Sequence, residues 1–141
     1  MSNVYDLVER AFEERLDSFP YLPDAGVAYA NEQFNRPDPD ASWFQAKLIP
    51  GTPSRKVLGP DGYSRLDGAY MINMFYPKGE GSGTARRAAD QLIQWFKSGT
   101  RLRAGDVFVS CLTASRAGAD DSGEWYQIPV SIYWYTHRNE V

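Results

Sequence analysis

Tyr70-Met71-Ile72-Asn73-Met74-Phe75-Tyr76 runs through Pro77-Lys78-Gly79-Glu80-Gly81-Ser82-Gly83-Thr84 into Ala85-Arg86-Arg87-Ala88-Ala89-Asp90-Gln91-Leu92-Ile93-Gln94-Trp95-Phe96 and stops at Lys97-Ser98-Gly99. The first segment alternates, placing Tyr70, Ile72, Met74 and Tyr76 on one face of a strand. The last has helical spacing, with Ala85, Ala88, Ala89, Leu92, Ile93 and Phe96 on one stripe and Arg86, Arg87, Asp90, Gln94 and Lys97 opposite. Ser82 or Thr84 is placed to cap this helix, and Gly99 is placed to end it. A strand and a helix with one apolar side each must bury those sides together, so the stretch predicts helices packed on a sheet.

The turn between them resembles a phosphate cradle in its glycines only. A P-loop ends in Gly-Lys-Ser/Thr, whereas this turn ends Gly83-Thr84-Ala85. The dinucleotide pattern needs a third glycine where Thr84 stands, and Glu80 would aim a negative charge at any phosphate. Gly79, Gly81 and Gly83 are therefore read as structural turn residues. A nucleotide or small-ligand module using the Gly79–Gly83 loop remains the alternative to that reading.

Outward from this stretch the order is helix, β-rich, helix, β-rich. Val4, Leu7, Val8, Ala11, Phe12, Arg15 and Phe19 recur at helical spacing, which predicts a first helix over about Asn3 to Ser18, stopped by Phe19-Pro20. Val27–Asn31 and Trp43–Ile49 read as strands separated by the loop Arg36-Pro37-Asp38-Pro39-Asp40. Pro50 to Gly62, punctuated by Pro50, Gly51, Pro53, Gly59 and Pro60, reads as a long loop before a strand over about Tyr63 to Tyr76. In the last third, Asp106–Thr113 and Trp125–Thr136 flank Ala117–Gly123 and should pair antiparallel. Ile128, Val130, Ile132 and Trp134 form the core face of the final strand, while Pro129, Ser131, Tyr133 and Tyr135 form the other face. Pro129 points to an edge strand or a bulge. The expectation is an α+β fold: a mainly antiparallel sheet of about four to six strands against two amphipathic helices.

With 141 residues, the chain has the length of a single domain, expected to span 1–141 and large enough for a core without disulfides. A net charge of −3 gives no general attraction for nucleic acid. No apolar run approaches a membrane span, and Met1–Asp6 lacks the basic and apolar regions of a signal peptide, so the chain is expected to be cytoplasmic when made. Cys111 and His137 are the only residues of their kinds, which leaves neither an intrachain disulfide nor a multi-histidine metal site.

Candidate chemistry is thin. Asp38/Asp40 and Asp120/Asp121 are carboxylate pairs in turn-rich segments, where solvated turn residues are the simpler reading. Ser82 lacks a nucleophile-elbow context because Glu80 occupies the first glycine position. A Cys111/His137 pairing across adjacent strands is geometrically open. Tyr133, Tyr135 and Arg138 have the chemistry to stack bases, against the sign of the total charge. No catalytic residue, cofactor site or metal site is expected.

Several phrases in order, namely the amphipathic first helix, Val27-Ala28-Tyr29-Ala30-Asn31-Glu32-Gln33-Phe34, Leu48-Ile49-Pro50-Gly51, Arg65-Leu66-Asp67-Gly68-Ala69-Tyr70, Tyr76-Pro77-Lys78-Gly79-Glu80-Gly81, helix two and Trp125-Tyr126-Gln127-Ile128-Pro129-Val130-Ser131-Ile132, resemble the tail-terminator-like family of tailed bacteriophages. The resemblance covers nearly the whole chain. It implies a virion protein without catalysis, whose subunits form a hexameric ring that caps the tail tube and meets the head connector or neck proteins. Genomic DNA would pass through such a ring unbound, as suits an acidic chain. A ring needs two different patches per subunit. The expected patches are Tyr133 and Tyr135 on the final strand, and the polar side of helix two at Arg86 and Arg87. Pro50, Gly51, Pro53, Arg55, Lys56 and Gly59 form the expected contact loop for tube or connector. A neck or head-completion protein is the alternative within the same class.

Overall fold

The computed structural model describes residues 4–30, 32–38, 40–51, 63–79, 83–121 and 123–139. Along the chain these form α1 (Val4–Asp17), β1 (Val27–Tyr29), β2 (Trp43–Pro50), β3 (Tyr63–Pro77), α2 (Gly83–Trp95), β4 (Arg101–Ala104), β5 (Val107–Arg116) and β6 (Trp125–Asn139). The six strands make one sheet in the order β1-β2-β3-β6-β5-β4. Only β1 and β2 run parallel; the other pairs are antiparallel. The fold is α+β, with a mostly antiparallel, curled sheet around two helices.

Both helices lie on one face of the sheet. Val8, Ala11, Phe12 and Leu16 of α1 and Ala85, Ala88, Ala89 and Leu92 of α2 are buried against Tyr70, Ile72 and Met74 of β3 and Ile128, Val130, Ile132 and Trp134 of β6. Phe12 is the centre of this core: it stacks on Tyr70 with centroids 4.6 Å apart and lies 5.9 Å from Phe96 and 6.4 Å from Trp134. The alternation expected for β3 and β6 is thus the core-facing alternation, in register as Tyr70↔Ile132, Ile72↔Val130 and Met74↔Ile128.

Two glycines make the close packing of β2, β3 and β6 possible. A Cβ on Gly68 would meet the Ile49 carbonyl and stand 2.9 Å from both the Gly51 nitrogen and the Trp134 ring. A Cβ on Gly51 would stand 2.7 Å from the Asp67 carbonyl, which accepts the Gly51 N–H. Glycine is required at both places by contact, because Trp134 fills the space a side chain on Gly68 would take.

The structure corrects four local expectations. The final strand, β6, is not an edge: it lies between β3 and β5. Pro129 is tolerated because its carbonyl accepts from Ala117 at 3.0 Å, just past the end of β5 at Arg116. Its donorless nitrogen faces that same side, where the neighbouring strand has ended, so no ladder bond is lost. The edges are instead β1 and β4, both short. Strand β4 itself has no counterpart in the sequence reading. Strand β1 stops at Tyr29, and Thr84 lies inside the first turn of α2 rather than capping it. Ser82, the other candidate cap, lies outside the described residues. Gly99 has φ +88, a value suited to glycine at a helix end, and its N–H bonds the Cys111 carbonyl at 2.9 Å.

Candidate assembly surface

Alternation along the strands turns the residues between the core positions onto the outer sheet face, which carries neither of the two described helices. One end of this face is covered by the chain itself. Phe34 stacks on Trp43 at 5.3 Å, Trp43 stacks on Phe75 at 4.1 Å, and Trp125 meets Trp43 edge-on at 5.6 Å. The Trp125 indole N–H donates to the Ala41 carbonyl at 3.0 Å, and the Arg36 guanidinium lies 5.8 Å from the Trp43 ring. The proline- and aspartate-rich loop is therefore held by an aromatic cluster of its own.

At the other end of the outer face none of the described residues forms such a cover. Ile49, Ala69 and Tyr133 are directly opposite one another across β2, β3 and β6, and Tyr133 is 48% exposed. With Gly51, Asp67 and Leu112 they line a mostly apolar groove of about 340 Å³. Beside it the Arg65 guanidinium covers the Tyr135 ring at 4.4 Å, and Tyr135 meets His137 edge-on at 5.5 Å. Toward β4, Arg101 and Arg103 flank Phe108 at 4.7 and 5.2 Å, and Phe108 is 43% exposed. Arg103 is further oriented by its Nε–H bond to the Gly105 carbonyl at 2.9 Å. Aromatic rings each carrying an arginine make a surface that is apolar at its floor and cationic at its rim.

The expected site residues fall in separate places. Tyr133 and Tyr135 belong to this open face, in the middle of the sheet rather than at its edge. Arg86 and Arg87 are exposed on α2, on the helix side of the molecule. Arg87 folds back over the start of its helix, 3.3 Å from where a Cβ on Gly83 would stand. Pro50 and Gly51 border the apolar groove; Pro53, Arg55, Lys56 and Gly59 lie outside the described residues, as do Glu80 and Gly81. Gly79 has φ +85, which makes it the glycine of its turn. Beside that turn a recess of about 410 Å³ is lined by Tyr76, Thr84 and Arg87 with Asp24 at its rim.

Cys111 and His137 are on opposite faces of the sheet. Cys111 is paired with Trp134 and buried on the core side, where burial pushes its thiol up to about 11 against a downward pull from Arg15. His137 is exposed on the outer face. The pleat separates the two, so they form no nucleophile–base pair. Asp38, Asp40 and Asp121 are exposed, and Asp120 is tied by backbone hydrogen bonds to Gln127 at 2.8 Å. Among the described residues no three His, Cys, Asp or Glu side chains are grouped to hold a metal. No helix among them is long and apolar enough to cross a membrane.

A second charged surface lies by the β1 edge. Asp6, Glu9, Glu13 and Asp17 follow one side of α1, and Glu32 comes just after β1. The Tyr29 hydroxyl donates to the Asp17 carboxylate, tying β1 to this stripe. Glu9 and Glu13 are held above the ordinary carboxylate range, first by partial burial and then by neighbouring acids. The sequence reading places Asp6, Glu9, Glu13 and Glu14 on the wet side of the first helix but does not single out Arg65, Arg101, Arg103 or Phe108. The available signal was Arg101-Leu102-Arg103-Ala104 between Gly99 and Gly105, a short period-two alternation.

One solved structure matches over 100% of this chain and 99% of its own, with 27% identity and a TM-score of 0.71. A chain from a structure titled "Virion of native gene transfer agent (GTA) particle" matches over 99% of this chain and 100% of its own, with 11% identity and a TM-score of 0.56. At that identity the second match speaks for the fold alone. Among curated proteins nothing matches. A family profile described as phage tail terminator protein matches residues 7–134, almost the entire chain, and on that match this protein belongs to the phage tail terminator family.

Proposed function

We propose that this phage structural protein assembles into a ring of six that caps the tail tube of its virion, ends tube growth and presents a surface to the head connector. The observation carrying the reading is family membership across residues 7–134, supported by the whole-chain match of fold to a chain of a gene transfer agent virion. The open outer face around Tyr133 and Tyr135 supplies one assembly patch. Arg86 and Arg87 share the positive sign of Arg65, Arg101 and Arg103 on that face, so they suit contacts with other phage proteins better than contact with it. The segment after Gly51, including Pro53, Arg55, Lys56 and Gly59, is the contact for tube or connector. DNA passes through the ring without specific binding, and the chain acts without cofactor or catalysis.

Light scattering behind a sizing column tests the ring. A mass near six times 15.9 kDa, or annular particles by negative stain, is the expected result. A chain that is monomeric at every concentration and also fails to bind purified tail tubes overturns it. Binding to filled heads in place of tubes would assign the protein to the neck instead. Deleting residues 53–59 should leave assembly intact and abolish tail joining.

A further inference from the structure

Among the described residues, only one ion pair lies within 4.0 Å, Arg116 Nε to Asp90 Oδ1 at 3.1 Å. Two groups of like charge stand out among the rest. Arg65 on β3 and Arg101 and Arg103 on β4 lie on the outer sheet face, while Glu9, Glu13 and Asp17 lie on α1 with Glu32 after β1 close to them. The arginines lie on the outer face of the sheet and α1 packs on the other face, so the basic and acidic surfaces are on opposite faces of the sheet.

The geometry points to a second copy of this chain as the occupant of the basic face: we infer that the acidic side of α1 in one subunit docks on the Arg101–Phe108–Arg103 patch of the next. This inference rests on the ring reading above and names its contact. Four features favour it. The guanidinium groups of Arg101 and Arg103 flank Phe108, and with the Arg103 Nε–H given to the Gly105 carbonyl the Nη N–H groups are the donors placed to bind carboxylates. Exposed Phe108 supplies apolar area that an assembled neighbour would cover. Two different patches make a head-to-tail contact, the kind that closes into a ring. Crowding of Glu9, Glu13 and Glu32 is a cost in the free subunit that cations of a neighbour relieve.

Paired charge reversals test this. Arg101→Glu/Arg103→Glu makes both patches acidic, and Glu9→Lys/Glu13→Lys/Glu32→Lys leaves only Asp6 and Asp17 against the new lysines, so both patches are then net basic; circular dichroism checks that each variant is folded. Each alone should associate at least about tenfold more weakly than wild type, because like charges then meet. An equimolar mixture should regain the wild-type mass, since alternating subunits restore opposite signs at every contact. Wild-type association should also weaken as salt rises. If wild type assembles and either folded variant assembles equally well, or the mixture remains dissociated, the contact is wrong while the ring reading stands. Loss of DNA binding in Arg101→Glu/Arg103→Glu with unchanged assembly would likewise overturn it and give the face to nucleic acid. A wild-type chain that never assembles, in solution or on tail tubes, removes the ring reading itself.

Discussion

Arg15 and Trp95, 80 residues apart, hold each other by reciprocal contacts that join the ends of the two helices. The Arg15 Nη2–H donates to the Trp95 carbonyl at 2.8 Å, its guanidinium lies 3.9 Å from the Trp95 ring centroid, and the Trp95 indole N–H donates back to the Arg15 carbonyl at 2.7 Å. Trp95 ends α2, so its carbonyl has no partner within the helix and the cation also meets the negative end of the helix dipole. Arg15 occupies a position in the apolar stripe of α1, and this clamp is what makes a cation acceptable there.

Arg15→Lys keeps the charge and loses both the planar fork and the stacking. It should lower the unfolding free energy by about 1–3 kcal/mol in a denaturant titration. Trp95→Phe should cost about 1 kcal/mol for the lost indole donor. The double variant should cost less than the sum, since each change breaks the same clamp; strictly additive losses would show that the two residues act independently.

Gly68→Ala should be among the most damaging small substitutions in the chain. Its Cβ would press on the Ile49 carbonyl, the Gly51 amide and the buried Trp134 ring. Forced repacking of that kind typically costs about 1–3 kcal/mol. Gly118→Ala has no neighbour within 4 Å of the added Cβ and serves as the control. Equal thermal midpoints for the two variants would contradict the packing described.

Glu9 and Glu13 set a pH dependence with a definite sign. Glu9 is raised above its ordinary value of 4.5 by burial, Asp6 and Glu32; Glu13 is raised by burial, Glu9, Glu32 and Asp17, with Arg10 opposing. A carboxyl raised on folding binds its proton more tightly in the folded state. Its stabilising contribution is complete below the ordinary value and is lost as pH rises through the raised one. In dilute protein Glu13→Gln should therefore unfold at a temperature roughly 1–2 °C above wild type at pH 7, with the gap closing near pH 4. A wild type that unfolds at the higher temperature at pH 7 would reverse the sign and refute the assignment.

Cys111 should be unreactive in the native protein. Burial pushes its thiol up to about 11, so almost no thiolate exists at pH 7, and the side chain is 2% exposed. A chromogenic aromatic disulfide should label one thiol per chain in denaturant and essentially none before unfolding. Fast labelling of the folded protein would place Cys111 elsewhere.

Local spacing alone determined the elements whose partners are near at hand in physics if not in sequence. The stripes of α1 and α2 and the alternations Tyr70–Ile72–Met74 and Ile128–Val130–Ile132–Trp134 are the core faces found in the fold, because burial on one side imposes a period on each element separately. Family phrases extended this to function. Strand order was not readable, since Pro129 excludes a neighbour only at its own level, and β5 ends just before that level. Strand β4 was too short to register beside its glycines, yet as an edge it carries the arginines that flank Phe108. Whether a charge is paired, stacked or left open depends on residues distant in the chain. Tertiary packing alone decided that Arg101 and Arg103 meet at Phe108 on the outer face while Glu9, Glu13 and Glu32 come together on the helix side.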